Sequence, residues 1–180
     1  MKNVILVGGN GYIGREIIKQ WLQRDADVEL YVTSRSVHQL DQRLRVHQIH
    51  VDANDSISFA IALPKTADYV VNLTYGAPEA LKNLRKYAEV NEAKAVGNIG
   101  VVLIVPGMED FVEMKRKELA FLREGRVRVA NYDLSVAYGA GRDDQIGQMI
   151  KAGIFDDETP VHVEVVARLL IDRLLVDWRK

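Results

Sequence analysis

The chain has 180 residues, a formal net charge of −1 and 48% hydrophobic residues. That is enough for one packed domain over 1–180, without the basic excess that a nucleic-acid surface or a polybasic membrane patch needs. The absence of cysteine excludes disulfides, a thiol nucleophile and Cys-ligated metals and suits a reducing cytoplasm, and no stretch approaches the roughly 20 apolar residues of a membrane helix.

The first element is a short apolar strand over 3–7. It is too short for a signal peptide and breaks at Gly8. Gly8-Gly9-Asn10-Gly11-Tyr12-Ile13-Gly14 follows, and a helix over 12–24 opens at once, with Ile13, Ile17, Ile18, Trp21 and Leu22 on one face. Strand, glycine turn and helix in this order suit a dinucleotide. Gly8 turns the chain off the strand, Gly11 lets the backbone approach a pyrophosphate, and Gly14 lets the helix pack close to the sheet. The phosphates then sit on unpaired N–H groups at the positive end of the helix dipole.

Further strands are expected over 28–33, 44–51, 69–73, 101–105 and 127–133, and further helices over 55–63, 79–95, 109–123, 143–152 and 163–178. The imperfect alternation of 44–51 marks a strand near a sheet edge. The strand–helix alternation implies an α/β, three-layer Rossmann fold: a doubly wound parallel sheet with helices on both faces. Ligands of such a sheet bind outside the carboxyl ends of its strands. After the second strand stand Ser34 and Arg35, with no carboxylate for a ribose 2′-hydroxyl. They are donors suited to a 2′-phosphate, which favours NADP, with NAD as the alternative. After the third strand stands Asp52, placed to accept from an adenine amino group, and Asp55 is set to cap the next helix. Small residues and a glycine end the fourth strand, in Leu73-Thr74-Tyr75-Gly76.

In their order these pieces resemble an extended or atypical short-chain dehydrogenase/reductase, of the NAD-dependent epimerase/dehydratase or NmrA-like NAD(P)-binding groups. The glycine loop, Asp52 with Asp55, the strand end at Asn72-Leu73-Thr74, Lys115 with Glu118, and Tyr138-Gly139-Ala140-Gly141 each fit that family's motifs. The resemblance implies a cofactor site of Gly8, Asn10, Gly11, Tyr12, Ile13, Gly14, Ser34, Arg35, Asp52, Ala53, Leu73, Thr74, Tyr75 and Lys115. It also implies Lys115 as a catalytic residue and a small-molecule substrate the sequence does not name. The helices over 79–95 and 109–123 occupy the positions where relatives dimerise, which makes a homodimer an expectation.

The departures fall on the catalytic half. The family's proton-transferring Tyr, four residues before the Lys, is here Phe111, which carries no proton to transfer. The Ser or Thr expected after the fifth strand is replaced by Val105-Pro106-Gly107, the Arg-Pro before the Tyr-Gly by Asp133-Leu134, and a C-terminal substrate lobe is reduced or missing. Lys115 reads equally as a ribose contact and as a surface lysine, and Tyr75 as a half-buried aromatic lining the crevice. The histidines His38, His47, His50 and His162 lack the partners of a metal site, and no metal is expected. Two readings stay open. One is an NAD(P)-dependent reductase or epimerase-like enzyme with a non-standard proton donor, or none. The other is a dinucleotide-binding sensor or partner protein without turnover.

Overall fold

In the computed structural model the described residues are 1–36, 45–102, 107–139, 142, 144–155 and 160–176. The elements run β1 (Lys2–Val7), α1 (Tyr12–Arg24), β2 (Val28–Ser34), β3 (Val46–His50), α2 (Ser56–Ala62), β4 (Tyr69–Asn72), α3 (Pro78–Val90), β5 (Ala95–Val101), α4 (Glu109–Arg123), β6 (Val129–Leu134), β7 (Val136–Tyr138), α5 (Gln145–Lys151), β8 (Pro160–His162) and α6 (Val163–Leu175). Six strands form one sheet in the order β3-β2-β1-β4-β5-β6, with every neighbouring pair parallel. The expected Rossmann architecture is present, and β3 is an edge strand as its weak alternation suggested.

Alternation along the central strands builds two cores. Val4 and Leu6 of β1 pack with Ile17 and Trp21 of α1 and with Leu170, Ile171 and Leu174 of α6. Ile5 and Val7 point the other way, into Phe59 of α2, Leu81, Leu84 and Tyr87 of α3 and Leu122 of α4. Burying both faces explains why these strands read as continuous apolar runs.

Two expectations are corrected. The helix expected over 79–95 ends at Val90, and the strand expected over 101–105 is β5, Ala95–Val101. Asn91 closes α3 by donating its N–H to Tyr87 O at 3.1 Å, and Glu92 then turns the chain at φ 50°. Gly97 and Gly100 lower the strand signal of 95–101. In the sheet both are close approaches: a Cβ on Gly97 would lie 3.1 Å from Leu174 Cδ1, and one on Gly100 would overlap Asp133 Oδ1. Packing overrides propensity here. Val105 and Pro106 lie outside the described residues. The short β7–β8 pair, Val136–Tyr138 against Pro160–His162, was not expected; three-residue strands carry too little pattern to be read.

At the amino edge of the sheet Lys2 Nζ lies 2.6 Å from Asp25 Oδ2, and Asp27 N–H donates to Asp25 Oδ1 at 2.9 Å. The Lys2 ammonium, then the Asp27 N–H, hold the Asp25 carboxyl below its usual range. A lowered folded pKa contributes stability that is present above the unfolded value, about 3.9, and is lost as pH falls through the folded one. Asp25→Asn is therefore expected to be less stable than wild type in urea titrations at about pH 7, by under about 1 kcal/mol because the pair is partly exposed. The difference should shrink as the pH falls below about 4.

Candidate functional site

The carboxyl ends of β1, β2 and β4 and the amino end of α1 border two clefts that share Gly8, Thr74 and Tyr75. One, of about 540 Å³, is also lined by Asn10, Ser34, Arg35, Asp52 and Ala53. The other, of about 450 Å³, is lined by Gly11, Tyr12, Ile13, Gly14, Leu73, Phe111 and Lys115. Every residue expected to contact a cofactor therefore lies on one of two adjoining clefts along the loop.

The loop is shaped by its glycines. Gly8 leaves β1 at φ 76°, a left-handed conformation, and a Cβ there would lie 2.9 Å from Thr74 Cγ2. Gly14 was expected to let α1 pack close to the sheet, and the approach runs through Gly9: Gly9 rests on the sheet, with Leu6 Cβ and Val32 Cγ1 within 2.9 Å of where its Cβ would be, and Gly14 seats α1 directly on the Gly9 backbone. Gly11 caps α1 with no side-chain hydrogen bond, and the first turn holds no acidic residue. The helix thus begins with backbone N–H groups that no side chain satisfies. Both polar atoms of the Asn10 side chain are buried without a partner.

In the first cleft Asp52 Oδ1 accepts from Asn54 N at 3.0 Å and Asn54 Nδ2 at 2.9 Å. Asp55 caps α2 as expected, accepting from Ile57 N at 3.0 Å and Ser58 N at 3.1 Å, and these bonds, the Ser58 backbone first, lower its pKa. Ser34 Oγ accepts from Ser36 N at 3.1 Å, and the Arg35 carbonyl accepts from His50 Nε2 at 2.8 Å, so the loop is fixed by its backbone while the Arg35 side chain is exposed.

The second cleft settles how Lys115 lies. It is 5% exposed, not on the surface, and its Nζ donates to Glu118 Oε2 at 2.7 Å. Glu118 Oε1 accepts from the Gly76 N–H at 2.9 Å, which ties α4 to the turn after β4. Phe111, one helical turn before Lys115, meets Tyr75 edge-on with ring centroids 5.7 Å apart. Tyr75 is 68% exposed, more than the half-buried setting expected of it. Met114 and Phe121 face instead the groove between α3 and α4 with Leu81. Across the cleft Arg142 donates from Nε to Asp144 Oδ1 at 2.8 Å, from a second nitrogen to Asp144 Oδ2 at 3.1 Å, and from a third to the Ala137 carbonyl. Burial pushes the Tyr12 phenol up, and its hydroxyl has no partner.

Sequence reasoning missed a row of asparagines under this site. Asn72, Asn98 and Asn131 are in register on β4, β5 and β6, all buried. Thr74 Oγ1 donates to Asn72 Oδ1 at 2.8 Å, Asn72 Nδ2 to Asn98 Oδ1 at 3.0 Å, Asn98 Nδ2 to Asn131 Oδ1 at 2.9 Å, and Asn131 Nδ2 to Asp133 Oδ1 at 2.6 Å. Each amide is a donor to the next, so the chain is satisfied and polarised from Thr74 toward Asp133. One asparagine at the same depth in three strands was the available signal.

Of the histidines, His47 Nε2 lies 2.6 Å from Glu29 Oε2 and His162 accepts from Glu164 N at 3.4 Å; His38 lies outside the described residues. Among the described residues no three His, Asp or Glu side chains gather as metal ligands would, and no helix is long and apolar enough to cross a membrane.

A six-stranded parallel sheet in this order, with a glycine loop at the amino end of its first helix, defines a dinucleotide-fold protein. Residues 4–103 match the NAD dependent epimerase/dehydratase family, and the chain belongs to that family. The matched span holds the glycine loop and ends before α4. No curated protein matches by sequence. Among solved structures, the Bordetella bronchiseptica enzyme WbmG in complex with NAD is 20% identical with a TM-score of 0.65, over 84% of this chain and 60% of that one. WbmG in complex with NAD and UDP is likewise 20% identical with a TM-score of 0.66, over 83% of this chain and 60% of that one. The UDP-glucose 4-epimerase of Thermus thermophilus in complex with NAD is 15% identical with a TM-score of 0.76, over 97% of this chain and 75% of that one. At these identities the likeness is one of fold, and this chain spans less than two thirds of WbmG.

Proposed function

We propose that this chain, as one domain over 1–180, binds a nicotinamide dinucleotide along the glycine loop, prefers NADP, and works as a reductase or epimerase-like enzyme with a non-standard active site. The observation that carries the reading is the uncapped start of α1 between the two clefts, beside an Asn10 side chain whose buried polar atoms lack partners. Such a helix end suits a pyrophosphate. In this reading Gly8, Asn10, Gly11, Tyr12, Ile13 and Gly14 hold the phosphates and Ser34 and Arg35 hold the 2′-phosphate. Asp52 and Ala53 flank the adenine, Leu73, Thr74 and Tyr75 border the cofactor's path, and Lys115 holds the nicotinamide ribose. Bound there, the cofactor supplies a hydride. Lys115 comes to its place already oriented by Glu118, and Phe111 shields the reacting face from water.

Calorimetric titration with NADPH, NADP⁺ and NADH tests the binding. Micromolar NADPH binding supports the reading, and no heat with any dinucleotide overturns it. Arg35→Glu is expected to weaken NADPH by about 10- to 100-fold, as expected for lost hydrogen bonds to a charged group, and to leave NADH within about threefold. Equal weakening of both would remove the assignment of Arg35. Phe111 in place of the proton donor favours a second reading, a sensor that binds without turnover. Tight NADPH binding with no oxidation against quinones, flavins and keto-sugars would establish it.

A further inference from the structure

We propose that the cleft beside Lys115 takes an apolar, planar quinone as its hydride acceptor rather than a sugar nucleotide; this rests on the dinucleotide reading above. Three independent observations point there. The first is the lining. Ile99, Val101, Met108, Phe111, Val136 and Ile146 face the cleft, and the edge-on Tyr75–Phe111 pair stands at its mouth. Flat aromatic ligands gain from such walls, whereas sugar hydroxyls buried against them would lose their water partners.

The second is the state of Arg142, which is held by both oxygens of Asp144 and by the Ala137 carbonyl. Asp144 already neutralises the Arg142 charge, so a diphosphate gains less from this guanidinium than from an unpaired one. A quinone has no charge to be neutralised.

The third is Phe111 itself. Reducing a sugar ketone leaves an alkoxide, a base about as strong as hydroxide. That oxygen needs a protein acid, and Phe111 is none. A hydroquinone hydroxyl is a phenol, with a pKa comparable to tyrosine's, about 10. The quinone takes the hydride with its electron pair and becomes the hydroquinone anion, while the dinucleotide is oxidised by two electrons. Water then gives the balancing proton. Lys115 has three N–H groups, of which Glu118 takes one, leaving one for the nicotinamide ribose and one for the anionic oxygen.

The test uses the full chain. It is first titrated with NADP⁺, and then, saturated with NADP⁺, with 1,4-naphthoquinone and with UDP-glucose in separate calorimetric runs; the chain has no cysteine to react with the quinone. NADPH oxidation by naphthoquinone is followed alongside. The expected result is saturable naphthoquinone binding, no heat from UDP-glucose, and binding weakened about tenfold in Phe111→Ala but only slightly in Phe111→Leu. Phe111→Leu keeps an apolar side chain on α4, and NADP⁺ binding to each variant shows that it is folded before naphthoquinone is added. Naphthoquinone that fails to bind while NADP⁺ binds would overturn the proposal and leave the dinucleotide reading intact. So would UDP-glucose binding in its place, or naphthoquinone binding indifferent to both Phe111 variants. An absence of NADP⁺ binding would overturn both.

Discussion

Replacing Gly14 with valine is expected to abolish dinucleotide binding and to cost about 3 kcal/mol or more of folding stability. A Cβ at this position would overlap the carbonyl oxygen of Gly9 and lie 2.6 and 2.7 Å from the Gly9 carbonyl carbon and Cα. Both are backbone atoms, so no side-chain rotation relieves the clash. Ordinary overpacking costs about 1–3 kcal/mol. The gain in helix propensity over glycine, about 1 kcal/mol at most, does not offset it. Either α1 lifts off the loop or the loop leaves β1, and both outcomes move the uncapped N–H groups away from the clefts. Gly11→Ala is the contrasting variant. Gly11 sits at φ −68°, and its Cβ would meet nothing nearer than Gly8 O at 3.8 Å. This variant should melt like wild type, yet its methyl group would stand where a pyrophosphate comes closest. A tenfold or greater loss of NADPH affinity with an unchanged melting curve is expected, on the order of the charge-assisted bonds displaced. Thermal melts and calorimetry on the two variants separate the structural glycine from the ligand-facing one. If Gly11→Ala binds like wild type, the pyrophosphate does not cross this helix end.

Much of this was legible in the sequence, because it is local. The Gly8–Gly14 loop, the apolar period of α1, the Asp55 cap and the weak alternation of β3 are all set by a few neighbouring residues. What failed depends on distant partners. Gly97 and Gly100 look like strand breakers until Leu174 and Asp133 are seen to occupy the space of their missing side chains. Lys115 in Lys115-Arg116-Lys117-Glu118 looks like a solvated face. Only the packing of α4 on the sheet buries Lys115 and Glu118 while leaving Arg116 and Lys117 outside. The same holds for the site. Its half along the glycine loop follows from a contiguous motif. The second cleft is assembled from β4, β5, β6, β7 and α4 with Arg142 and Asp144, and the row Asn72–Asn98–Asn131 exists only once those strands lie in register.

That assembly makes Glu118 the second position of large effect. Glu118 is 9% exposed, and its carboxylate serves two elements at once, Lys115 of its own helix and the Gly76 N–H of the β4–α3 turn. Glu118→Ala would leave a buried ammonium unpaired and take the Gly76 N–H's partner away. Breaking a buried pair from one side costs about 3–5 kcal/mol, far more than the pair itself is worth. Glu118→Gln keeps one oxygen for one of the two donors and should cost distinctly less, about 1–3 kcal/mol. Replacing both partners, Lys115→Met with Glu118→Ala, removes the stranded charge and should recover much of the loss. Urea denaturation of the two single variants and the double one measures that coupling. If the double variant is no more stable than Glu118→Ala, the pair is not what holds α4 to the turn. The function has its own signature. Gly76 turns the chain at φ 63° immediately after Tyr75, so a Glu118 variant loosens Tyr75 and Lys115 together while leaving Ser34 and Arg35 untouched. Glu118→Gln should therefore weaken NADPH and NADH by the same factor. Arg35→Glu, acting only through the 2′-phosphate, should weaken NADPH alone.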